Sequence, residues 1–124
     1  MESVTFQIPA GYGDLRIADK ALQKLLILHE VKPDVIQDSK HALQELLTSI
    51  VDTAYNTNTD TMIDLRFRVT GKNLFIEVKD NGSPAYASAG GDAYSNGYDP
   101  GALMDEVQYQ YKDNRNMWLL VKYF

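Results

Sequence analysis

Asp38, His41, Glu45, Ser49, Asp52 and Asn56 follow one another at spacings of 3, 4, 4, 3 and 4. On a helix turning about 100° per residue, these spacings stack the six side chains into one polar stripe. Glu45 sits in mid-stripe, where a carboxylate is available as a general base. Asp38, His41 and Glu45 also read as a line of metal ligands, but no second ligand-bearing helix accompanies them and His29 is the one other histidine. The stripe is therefore either a solvated face or one wall of a site. Asp80 is the second position of chemical interest. Leu74, Ile76 and Val78 alternate with Phe75, Glu77 and Lys79, so the two-residue period puts Asp80 on the apolar face. A carboxylate turned toward a core must be paired, hydrogen-bonded or bound to a ligand. The alternative is that Asp80 lies past the strand end and caps a turn.

Asp34 to Asn56 must carry the stripe as one long amphipathic helix. Ile36, Leu43, Leu47, Ile50 and Ala54 gather opposite it, with Leu46 and Val51 at the borders. Asp34 is placed to cap the first turn, Gln37 three residues on completes a capping box, and Pro33 bars an earlier start. Before it, Val4, Phe6 and Ile8 alternate with polar residues in a strand closed by Pro9. A first helix then runs from Leu15 to about His29, capped by Asp14 and burying Leu15, Ala18, Leu22, Leu25 and Leu26. Glu30–Pro33 joins two antiparallel helices, and Thr57–Thr61 is turn-like.

Ile63 to Val69 and Leu74 to Val78 alternate as a hairpin around the TGKN turn. Residues 81–101 hold five glycines and two prolines and form a long loop, of the kind that is commonly functional or mobile. The Gly90-Gly91 pair is not followed by the Gly-Lys-Ser/Thr of a phosphate loop. Ala102–Asp105 reads as one helical turn, Val107–Lys112 as a strand, Asp113–Arg115 as a turn and Asn116–Phe124 as a closing strand. That strand is apolar on both sides. Its face with Trp118, Leu120 and Phe124 is expected to point outward, covered by a partner, by a second copy in a homodimer, or by the chain's own N-terminus. Strand, two helices, hairpin, loop and hairpin together predict an α+β two-layer sandwich, with helices on one face of a mostly antiparallel sheet.

Composition limits what this sandwich does. Its 124 residues are expected to form a single domain, residues 1–124. Without cysteine, thiolate zinc sites and disulfides are excluded. Twelve basic against seventeen acidic residues give a net charge of −5, which argues against a broad nucleic-acid footprint. No apolar run is long enough for a membrane span and no signal-peptide pattern opens the chain, so a soluble cytoplasmic protein is expected.

Three segments carry a resemblance. HALQELLTSIVDTAY on the long helix, IEVKDNGSP at a strand end and ALMDEVQYQYKDNRNMWLLVKYF at the C-terminus resemble the anti-sigma regulatory factors. These are small serine/threonine protein kinases of the histidine kinase-like ATPase superfamily, with a Bergerat-type fold. The resemblance implies that Glu45 orients a hydroxyl or water near the γ-phosphate of ATP. It implies that Asp80 accepts from the adenine amino group and that Gly82 lets the base approach the backbone. The family's magnesium-binding asparagine falls on Ser49, whose hydroxyl reaches less far. The family's GxGL box, which opens a phosphate-holding helix, has no counterpart in AGGDAYSNGYDPGALMDEV. The expected function is thus an anti-sigma-like regulator of bacterial transcription that binds a sigma factor or an anti-sigma antagonist, with weakened or lost ATP and magnesium binding. The alternative is an active kinase that phosphorylates the antagonist.

Overall fold

In the computed structural model, residues 2–57, 61–82 and 103–124 are described, with the side chains of Glu2 and of 53–57 excepted. Beyond Gly82, the glycine-rich segment expected as a long loop falls outside the described residues, as do the side chains of Ala54 and Asn56. Among the described residues five strands and two α-helices follow one another as β1 (Glu2–Pro9), α1 (Leu15–Leu28), α2 (Pro33–Thr57), β2 (Met62–Thr70), β3 (Asn73–Asp80), β4 (Glu106–Lys112) and β5 (Arg115–Tyr123). The sheet runs β1-β2-β3-β5-β4, and every neighbouring pair is antiparallel. Both helices pack on one face, giving the expected two-layer sandwich.

The two periodicities meet in one core. From β2 come Ile63, Leu65, Phe67 and Val69, from β3 Leu74, Ile76 and Val78. Against them α1 lays Leu15, Ala18, Leu22, Leu25 and Leu26, and α2 lays Ala42, Leu43, Leu46, Leu47, Ile50 and Val51. Ile36 is partly buried at the rim. Ala42 and Ser39, both 0 % exposed, widen the buried face beyond the expected one. Between the helices, Lys40 Nζ donates to Gln23 Oε1 at 2.6 Å and lies 3.5 Å from Asp19, while Gln44 Nε2 donates to the Leu15 carbonyl.

Helix ends differ from expectation in instructive ways. Pro33 is the first residue of α2, where its missing N–H costs nothing, so Asp34 belongs to the first turn rather than the cap. Asp14 precedes α1, but a 3-10 turn over Tyr12–Asp14 holds it in helical backbone and its side chain makes no cap bond. The C-terminus of α1 is closed by a Schellman motif. Val31 N donates to the Leu26 carbonyl and Glu30 N to the Ile27 carbonyl, with Glu30 left-handed at φ 57°. Val31 tucks under the helix at 7 % exposure, the apolar contact that usually accompanies this motif.

The expectation for the closing strand is overturned. Val78 pairs with Trp118 and Ile76 with Leu120, so Trp118 and Leu120 share the inner face and are buried by the helices. Phe124 packs partly against the same core. The outer face instead carries Met117, Leu119, Val121 and Tyr123, beside a lattice of charges. Arg115 bonds Asp64, Gln7 donates to Asp64 at 2.7 Å, Arg66 lies 3.7 Å from Glu77, and Arg68 covers the Phe75 ring at 4.7 Å. Of the expected helical turn Ala102–Asp105, Ala102 lies outside the described residues, and Leu103–Asp105 form a turn leading into a bend. The β4–β5 hairpin turns through Asp113 and Asn114, both left-handed, as a two-residue turn between twisted strands requires.

Leu47 is 0 % exposed at the centre of the α2 core face. Leu47→Ala should therefore lower unfolding free energy by about 2–5 kcal/mol in a denaturant series. Glu45→Ala, on the solvent side, should cost under about 1 kcal/mol. Equal losses would show the faces to be wrongly assigned.

Candidate functional site

Asp80 ends β3 opposite Ile63 on one side and Asn116 on the other. Only 3 % of it is exposed, so the inward carboxylate expected from alternation is present. One oxygen, Oδ1, accepts from the Gly82 backbone N–H at 2.8 Å and from Asn116 Nδ2 at 3.0 Å. Asn116 Nδ2 also lies 3.4 Å from the Gly82 carbonyl, and Asn116 Oδ1 accepts from the Tyr109 hydroxyl. Nothing among the described residues bonds Asp80 Oδ2. Both readings of Asp80 are thus partly met: one oxygen caps the turn at Gly82, and the other remains an acceptor. Gly82 is constrained by space, since a Cβ there would stand 3.0 Å from Asp80 Oδ1.

The polar stripe of α2 is real, and most of its charged members are engaged by partners on and off the helix. His41 Nε2 donates to Glu45 Oε1 at 2.8 Å, with both side chains about half exposed or more. Asp38 lies 3.7 Å from Lys122 Nζ, and Asp52 accepts from the Tyr12 hydroxyl. Ser49 is half-buried one turn beyond Glu45. Asp80 and Gly82 are therefore brought together, while Glu45 bonds its own helix neighbour rather than the Asp80 group. Among the described residues, no three His, Asp or Glu side chains are grouped so as to hold an ion, and Asp38 and His41 turn to different partners. The donor set fits the base of a nucleotide better than its metal: Asp80 Oδ2 is an acceptor at a nearly dry position, suited to an exocyclic amino group.

Asn116, Tyr109 and the buried Thr61 are members of this corner that the sequence reading did not single out. A signal existed for Asn116. It shares the parity of Trp118 and Leu120, so it is a polar residue at an inward position of β5, as Asp80 is of β3.

Burial pushes the Asp80 carboxyl above the ordinary carboxylate value, against the opposing pull of the Asn116 and Gly82 bonds and of the Arg115 charge. Asp64 goes the other way. Partial burial raises it, but bonds from Arg115 and Gln7 and the charges of Arg115 and Lys79 outweigh that and leave it lowered. A raised folded-state value means that ionised Asp80 opposes folding: its contribution is best below about 3.8 and declines as pH rises through the raised value. Asp80→Asn should match wild-type stability in acid and exceed it progressively toward neutral pH, the Asp64 contribution cancelling in the difference. Paired denaturant titrations across pH check this; a difference independent of pH would contradict the assignment.

This architecture has a known counterpart. The chain superposes with TM-score 0.73 on the crystal structure of the RsbU and RsbW domains of Rv1364c from Mycobacterium tuberculosis. The two are 18 % identical, and the match covers 99 % of this chain and 32 % of the other, so this chain spans about a third of that protein's length. At that identity the likeness shows the fold. Among curated proteins, none matches. The family model for the histidine kinase-like ATPase domain matches residues 8–97, which takes in the end of β1, both helices, the hairpin and the Asp80–Gly82 turn. With the fold and most of the chain in agreement, this chain belongs to the histidine kinase-like ATPase domain family.

Proposed function

We propose that this domain is an anti-sigma-type regulator of the bacterial cytoplasm that acts by binding an acidic protein partner, a sigma factor or an anti-sigma antagonist. The observation that carries the proposal is the outward face of α1. Arg16, Ile17, Lys20, Lys24, Ile27 and Leu28 fall within an arc of about 120°. All six are exposed, Leu28 by 77 %, Ile27 by 56 % and Ile17 by 49 %. Asp19, about 60° outside this arc, is engaged by Lys40. In a chain of net charge −5, an exposed face of three cations interleaved with three aliphatic side chains fits an acidic, amphipathic protein segment. A homodimer through this face would set like charges together, so a different protein fits it better.

Nucleotide chemistry enters this reading as a remnant. Asp80 and Gly82 would hold the adenine of ATP. Glu45 would act as general base toward a hydroxyl, and Ser49 would stand in for the magnesium-binding amide. Phosphoryl transfer depends on metal and oriented charge around the transferring group, and Ser49 together with the absent GxGL box weakens both. The second reading, an active serine/threonine kinase acting on the antagonist, is favoured by one observation: Asp80 retains an open oxygen while nearly dry.

The two readings separate in a paired assay of partner affinity and phosphate transfer. Against sigma factors and antagonist domains, the Arg16→Glu/Lys20→Glu/Lys24→Glu variant should fold normally and lose at least about tenfold in affinity, with a flatter salt dependence. Glu45→Ala should bind as the wild type does. Undiminished binding by the triple variant would refute the docking face. Robust wild-type transfer that disappears in Glu45→Ala would establish the kinase instead.

A further inference from the structure

Among the described residues, the sheet ends on two strands that are paired on one side, β1 and β4. Such an edge is an open row of N–H and C=O groups, which sequences blunt with proline, bulges or a charge in mid-strand. β1 closes on Pro9, which has no N–H to give, and it carries neither Lys nor Arg. β4 has no proline and no mid-strand charge. It reads EVQYQYK, with one acid and one base at its two ends.

The hairpin turn fixes which backbone groups face this edge. Asp113 and Asn114, both left-handed, join Lys112 to Arg115, so Lys112 and Arg115 form the hydrogen-bonded pair beside the turn. Bonded and non-bonded pairs then alternate along the ladder. Gln108 and Gln110 turn their backbone groups to β5, whereas Val107 and Tyr111 turn theirs to the open edge. The side chains of Glu106, Gln108, Gln110 and Lys112 stand exposed on the sheet face away from the helices. The two end charges go unanswered within the chain. Among the described residues neither Glu106 nor Lys112 enters an ion pair, and Lys112 stands opposite Arg115, a like charge.

We propose that β4 is a homodimer edge, through which two copies of this chain join antiparallel into one continuous sheet. The sequence of β4 is complementary to itself in that arrangement. With a two-fold axis at Tyr109, Glu106 of each copy comes opposite Lys112 of the other, and Gln108 opposite Gln110. Val107 comes opposite Tyr111, and these are the residues whose N–H and C=O face outward. Their two pairings exchange about four hydrogen bonds. The charged and glutamine pairs fall at the non-bonded positions, where facing side chains come closest. Sliding by one residue misaligns the backbone groups, and sliding by two leaves both charges unpaired. Seven residues make a short interface, so the dimer should form with rising concentration rather than be permanent.

The test is sedimentation of the full chain from micromolar to millimolar concentration, as wild type, Glu106→Lys, Lys112→Glu and an equimolar mixture of the two variants. Wild type should dimerise as concentration rises. Each single variant sets like charges together at both ends of the ladder and should associate at least about tenfold more weakly. The two substitutions move net charge in opposite directions, so a general charge effect would not weaken both. In the mixture every end charge again meets its opposite, and association should return as a heterodimer. A wild type that stays monomeric at millimolar concentration would overturn the proposal and leave the edge to an extended segment of another protein. Undiminished association of either single variant, or a mixture that stays apart, would overturn it as well. Should the variants fold poorly, amide exchange of the wild type decides. Exchange at Val107 and Tyr111 should slow with concentration, while Gln108 and Gln110, bonded to β5, stay slow throughout. Exchange at Val107 and Tyr111 that is independent of concentration would contradict the dimer.

Discussion

A buried carboxylate is the constraint around which this end of the sheet is arranged. Asp80 is nearly excluded from water, and an ionised group there is tolerated only where fixed donors replace the water it has lost. Those donors come from two places. The turn after β3 supplies the Gly82 N–H, and β5 supplies Asn116 because the antiparallel register sets residue 116 opposite residue 80. The register in turn follows from the apolar pairs further along, Val78 with Trp118 and Ile76 with Leu120. Core packing and site geometry are therefore one decision: slipping β5 by a single residue would expose Trp118 and take Asn116 away from Asp80 together.

The same economy appears in the helices. One face of α2 is filled by Leu43, Leu46, Leu47, Ile50 and Val51, and the other keeps Glu45 in water with His41. α1 divides its circumference between a buried leucine face and the basic-aliphatic face offered outward. The layer that covers the sheet thus keeps a basic and aliphatic face exposed on its far side. Burial of one side leaves the other free to vary in charge without cost to the core.

Much of this was legible in the sequence, for physical reasons. Both helices, the hairpin and the inward direction of Asp80 follow from periodicity, because a two-layer sandwich gives each element one wet and one dry face. The sense of β5 was not legible. A strand apolar on both sides carries no parity signal, and only its pairing with β3 shows that Trp118 and Leu120 face inward. Caps misled where neighbouring turns changed the backbone, as at Asp14, and where Pro33 proved to be inside the helix. Asn116 and Tyr109 were hidden because a network of side chains from three strands is a property of register, which no single segment encodes. The family resemblance placed Asp80 and Gly82, which the structure brings together, and Glu45 and Ser49, which it leaves one turn apart on α2.

The central claim is that a base-holding corner survives in a domain whose main work is protein recognition. Following the amide and carboxamide resonances of the labelled chain during ADP addition without magnesium tests it most directly. The account predicts saturable shifts centred on the Gly82 amide and the Asn116 side chain, with the resonances of Arg16, Lys20 and Lys24 on α1 undisturbed. Shifts confined to other parts of the molecule, or none at millimolar ADP, would contradict it.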